Sequence, residues 1–166
     1  AYSPRDNVTL FVFNGLCLIF AQGMARRIVK NLGQKKVAML GMFSAIIAFA
    51  LVAFIPAPSE HAPLAPWAKT VFYIGMGLIS FATGLILPSV SSLVSLYSSP
   101  SEQGRNLGIL RSAGSLARVI GPISAAFLYF KTGSHFWVYV FAACLMVPAL
   151  WVIRSLPEPV VHRDSH

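Results

Sequence analysis

Charge is what this chain has least of. Only 11% of its 166 residues are charged and 56% are hydrophobic, whereas soluble domains carry roughly 25% charged residues. Residues 8–25, 37–59, 70–101 and 132–153 contain no charged side chain at all. A soluble core of this size has no use for runs of that length. Cysteine is equally sparse, with Cys17 and Cys144 both inside apolar stretches, which excludes a disulfide framework. No Cys/His spacing suggests a metal site, and no P-loop or nucleophile elbow is present. The sequence therefore carries no enzyme constellation and implies no cofactor.

What is present has the length of a bilayer. Twenty helical residues rise about 30 Å, the thickness of the hydrocarbon core. A fifth stretch, 106–130, is apolar except for Arg111 and Arg118. A signal peptide could explain the first run but not five. The expected fold is an all-α membrane protein with spans near 8–25, 37–56, 70–97, 106–130 and 134–153. Its membrane bundle covers 8–156, between an exterior loop remnant at 1–7 and a tail at 157–166.

Basic residues orient the bundle. The connection 26–36 holds Arg26, Arg27, Lys30, Lys35 and Lys36 and no acid, which the positive-inside rule places in the cytoplasm. Arg105, Arg154 and Arg163 then fall on the same side, with Arg5, Lys69 and Lys131 opposite. The C-terminus is expected inside. The net charge of +8 thus needs no nucleic-acid partner, although the basic side suits anionic lipid headgroups. His61 and His135 are expected in exterior loops and His162 and His166 in the tail, all solvated.

Polar residues within the spans carry the functional information. Gly77, Ser80, Gly84, Pro88, Ser91 and Ser95 recur at steps of three or four in the third span, forming a small-residue face for helix packing. Ile79, Leu85, Leu87 and Leu93 are expected on the opposite face, toward lipid. Pro88 removes a backbone hydrogen bond and should bend the helix, either for packing or beside a solute path. In the fourth span Arg111, Ser115 and Arg118 make one polar stripe. Arg111 is close enough to the helix start to snorkel. Arg118, near the midpoint, would cost about 2.5–3.5 kcal/mol on insertion scales if it faced lipid. No acid lies in any span, so two readings fit: Arg118 lines a transport cavity, or it pairs with a helix beyond these five. Gly121-Pro122, one turn later, marks a kink or a tight contact.

These residues resemble a known family. The run Ser101-Glu102-Gln103-Gly104 to Gly108, Leu110-Arg111-Ser112, Ser115-Leu116-Ala117 and Gly121-Pro122 looks like the eleventh helix of the major facilitator superfamily, as in bacterial tetracycline/proton antiporters. The segment from Gln22 through Gly23, Arg26, Arg27, Lys30 and Gly33 to Lys36 is similar to that family's cytoplasmic loop motif between helices eight and nine. Gly33 matches the motif's glycine and Lys35 its basic position. Arg26 stands where glycine is common, and Lys30-Asn31 where the better-kept copy has Asp-Arg. The strings Gly23-Met24-Ala25-Arg26-Arg27-Ile28 and Leu110-Arg111-Ser112 to Arg118 extend the resemblance to the tetracycline-transporter-like branch of animals.

The resemblance implies helices eight to twelve of a twelve-helix fold. Read with the initial Ala1 and the odd span number, the chain is then an incomplete C-terminal half whose partners include seven further helices. Such folds rock two halves about a midplane site. The expected function is secondary transport of small organic solutes, with organic anions or drugs as the class the branch suggests. The alternative is a scaffold or receptor that keeps the fold without transporting, for which the Pro-rich loop 59–67 would be the docking element.

Overall fold

A computed structural model describes residues 4–56 and 65–157. It contains five helices in chain order, α1 (Pro4–Leu32), α2 (Gln34–Ala53), α3 (Pro66–Tyr97), α4 (Gln103–Thr132) and α5 (His135–Ser155). All five are long and apolar enough to cross a membrane. No strand occurs among the described residues. Most of loop 59–67, with His61, and the tail with His162, Arg163 and His166 lie outside the described residues.

Helices are the outcome because lipid offers no hydrogen-bond partners, so each span must satisfy its backbone internally. Side-chain hydroxyls follow the same rule by bonding back one turn. Ser44 donates to the Leu40 carbonyl, Thr83 to Ile79, Ser98 to Val94 and Thr132 to Leu128. Helix ends carry local signals. Pro66 opens α3 at a position whose N–H has no intrahelical partner anyway. Ser134 caps α5 by accepting from the Phe136 N–H at 3.2 Å. Gly133 closes α4 in the left-handed conformation.

The first connection differs from the expected loop. Residues 26–32 continue α1, and Gly33 alone separates it from α2. At 29 residues, α1 is about 43 Å long, so it outruns the hydrocarbon core and carries its basic last turns beyond it. Gly33 has φ 79° and ψ 160°, a region essentially closed to residues with a Cβ. Gly33→Ala is therefore expected to destabilise the bundle by about 1–3 kcal/mol, although nothing lies within 4 Å of the added methyl. A thermal unfolding curve in detergent that superimposes on the wild type would contradict this.

The core is built around α2 and α3. One cluster joins Ala38, Met42, Leu93 and Ile153 from α2, α3 and α5. Another joins Ala25, Val37 and Leu85 from α1, α2 and α3. A third closes the opposite end with Val52, Ile55 and Ala68. Leu85 and Leu93 are thus buried, at 0% and 3% exposure, and do not face lipid as the sequence suggested. The reason is that α3 is covered on two sides. Its small-residue face takes α1, with Gly77 against Phe13 and Gly84 against Ala21, and Ser80 donating to Asn14 Oδ1 at 3.2 Å. Its opposite face takes α2, where Gly75 meets Val52 and Gly41 meets Ala82 and Leu85.

Polar ties hold the helix ends. Lys35 Nζ donates to the Leu156 carbonyl and the Tyr97 hydroxyl to the Pro157 carbonyl. Gln103 reaches back to Ser95, and Asn106 to Ser98. At the other end His135 Nε2 lies 2.7 Å from the Ile55 carbonyl oxygen. This histidine is a partly buried strut joining α5 to the end of α2, and its expected place in a solvated loop is corrected. The remaining surface is apolar, with Phe11, Phe20, Phe127, Phe130 and Trp151 among the large exposed side chains. Apolar exposure on this scale suits lipid rather than water.

Candidate functional site

The α1–α2, α3–α4 and α5–tail junctions lie at one end of the bundle, as the Lys35–Leu156, Tyr97–Pro157 and Gln103–Ser95 contacts require. That end gathers Arg26, Arg27, Lys30, Lys36, Arg105 and Arg154. Lys69 and Lys131 mark the other end. The charge asymmetry read from the loops is therefore a property of the folded bundle.

A cleft of about 580 Å³ opens between α1, α3 and α4, near the basic end. Its polar lining comes from Gln22 and Arg26 of α1, Gln34 of α2, Ser89 and Ser91 of α3 and Arg111 of α4. Ala25, Val29, Leu87 and Pro88 supply the apolar remainder. Ser89 is fully buried, and its hydroxyl has no hydrogen-bond partner among the described residues. No carboxylate among the described residues lines the cleft. Glu102 is occupied near the α3–α4 turn, where it accepts from the Ser99 hydroxyl at 3.1 Å.

The sequence-derived site residues are only partly brought together. Pro88 and Arg111 meet in the cleft. Ser115 and Arg118 continue up α4 away from it, both exposed, with the Ser115 hydroxyl donating to the Arg111 carbonyl at 3.0 Å. The helix that carries them contributes no buried residue. Gly121 has no neighbour within 4 Å of an added Cβ, so the tight contact expected there is not made with the described helices. Pro88 and Pro122 both sit inside uninterrupted helices. In the loop-motif segment Gly23 is open on all sides, Arg27 and Lys30 are exposed, Gly33 makes the turn and Lys35 holds the α5 end. Gln22, Gln34 and Ser89 were missed by sequence reasoning. Only the lining of a shared cavity singles them out, because no local signal places α1 beside α4.

Five spanning helices, one basic end and a polar cleft between helices define a multi-pass α-helical membrane protein. The chain belongs to the Major Facilitator Superfamily, whose profile matches residues 3–166. It is 35% identical over 162 residues to mouse Major facilitator superfamily domain-containing protein 10, a match covering 95% of this chain and 32% of that protein. The bovine protein of the same name is 32% identical over 160 residues, with the same coverage. Tetracycline resistance protein, class E, of Escherichia coli is 31% identical over 159 residues, covering 93% of this chain and 36% of that protein. The chain thus spans about a third of the length of the curated relatives it matches. No solved structure gives a significant match.

Proposed function

We propose that the five helices are the closing part of a secondary transporter that moves small organic solutes by alternating access. In this reading they are the last five of twelve, with the basic end and the C-terminus in the cytoplasm. The observation that carries the proposal is α4. Thirty residues long and without one buried side chain, it bears Arg118 in mid-span with no ion pair among the described residues. An unpaired guanidinium cannot be left against hydrocarbon, so this face meets water, a solute or further helices. In a two-half transporter it meets all three in turn. The similarity to a tetracycline resistance protein supports organic solutes as the substrate class, and the positive charge of Arg118 favours anions among them.

Alternating access is tested at Ser115, one turn from Arg118. With Cys17 and Cys144 replaced by serine, Ser115→Cys is expected to react with a membrane-impermeant thiol reagent added from either side of the membrane. Bound solute should slow the reaction. A cysteine inert from both sides would mean that this face is sealed in lipid or protein, and the proposal would fail.

A further inference from the structure

The cleft at the basic end does not include Arg118 and calls for a ligand of its own. Arg26 and Arg111 arrive from different helices to line one cavity, with no acid among the described residues beside them. Both arginines are exposed, so their guanidinium groups are open to an anion entering the cleft, which would offset the like charge the two helices bring to it. Each presents a planar fork of donors suited to an oxyanion. Ser91 contributes a hydroxyl, and Gln22 and Gln34 contribute amide donors. The cavity's volume exceeds what one phosphate needs, and its apolar wall includes Val29 and Leu87. A phosphate attached to an organic body fits both parts.

We infer that this cleft binds a phosphate group, held between Arg26 and Arg111 with the Ser91 hydroxyl beside it. Two sources share that chemistry, an anionic phospholipid headgroup and a soluble organic phosphate. The site is separate from the transport reading, and neither stands or falls with the other.

The test uses the protein at its native length in phosphatidylcholine nanodiscs, titrated with phosphatidic acid and, separately, with glycerol 3-phosphate. Wild-type protein is expected to bind at least one of them saturably. Arg26→Gln/Arg111→Gln should weaken that binding about tenfold or more, the expected scale for losing charge-assisted contacts. Lys36→Gln/Arg154→Gln removes the same charge from the same end outside the cleft, and should leave binding within about twofold. Phosphatidic acid that glycerol 3-phosphate cannot displace identifies the lipid as the source. Displacement at millimolar glycerol 3-phosphate identifies a soluble phosphate. Should the double variant fail to insert, Arg26→Lys and Arg111→Lys carry the test, since each keeps the charge and loses the fork. Binding of neither probe overturns the inference. So does equal weakening by the outside pair, or unchanged affinity in the cleft variants.

Discussion

Replacing Arg118 by alanine is expected to cut uptake of an anionic solute at limiting concentration roughly ten- to a hundredfold in the native-length protein while leaving membrane insertion intact. The two halves of this expectation come from different facts. Insertion persists because Arg118 is exposed and α4 buries nothing in the described bundle, so no packing among the described helices depends on the side chain. Removing a mid-span arginine also lowers the cost of insertion. Uptake falls because a cation in a low-dielectric cavity contributes far more to anion binding than the same cation in water. A charge-assisted hydrogen bond contributes about 1.5–3 kcal/mol, so the loss in apparent affinity should be roughly ten- to a hundredfold. Arg118→Lys should recover part of the activity, because it keeps the charge but not the fork. Normal uptake by Arg118→Ala, measured with a radiolabelled organic anion, would remove the residue from the solute path.

The second large effect concerns stability and falls on α3. A Cβ at Gly84 would sit 2.6 Å from the Ala21 Cβ and 3.3 Å from the Leu18 carbonyl oxygen. Neither obstacle is the end of a flexible chain, so α1 and α3 would have to separate. At Gly41 the obstacles are the Ile86 Cγ1 at 2.8 Å and the Ala82 carbonyl oxygen and Leu85 Cβ, each at 3.1 Å. In lipid the hydrophobic effect does not drive helices together, and close packing of small residues does. Gly84→Leu and Gly41→Leu should therefore each cost about 3 kcal/mol or more, beyond the usual 1–3 kcal/mol of overpacking. Gly15→Ala, where nothing lies within 4 Å, should be neutral or mildly stabilising, since alanine is the better helix former. Thermal unfolding in detergent separates the cases. Equal midpoints for all three variants would mean that α3 is not clamped between α1 and α2.

Legibility from sequence followed the physics of each signal. The five helices were readable because a bilayer demands a fixed apolar length, and that demand leaves long uncharged runs. Their ends were not, since charge alone cannot say whether Arg26–Lys30 form a loop or the protruding turns of a long helix. Gly77, Ser80 and Gly84 were correctly read as a packing face, because small side chains advertise close approach. Leu85 and Leu93 were misread as lipid-facing, since within a membrane the inside and outside of a bundle are both apolar and hydropathy cannot tell them apart. Arg111 stood out as a charge in a span, but Arg26, which lines the same cleft, did not. That both line one cleft depends on how α1 and α4 flank α3, which no spacing within one helix records. Ser89 gave no signal, because a serine in a small-residue helix is unexceptional until its hydroxyl is seen to lack a partner.

The central claim is that this bundle belongs to a working transporter rather than to a scaffold that has kept the fold. Solute flux in proteoliposomes tests it most directly. Purified native-length protein, reconstituted with a panel of organic anions outside, should take up at least one of them saturably, and Arg118→Ala liposomes should do so roughly ten- to a hundredfold more weakly at limiting solute. Wild-type flux no greater than that of empty liposomes across the panel, under an imposed proton gradient in either direction, would contradict the account.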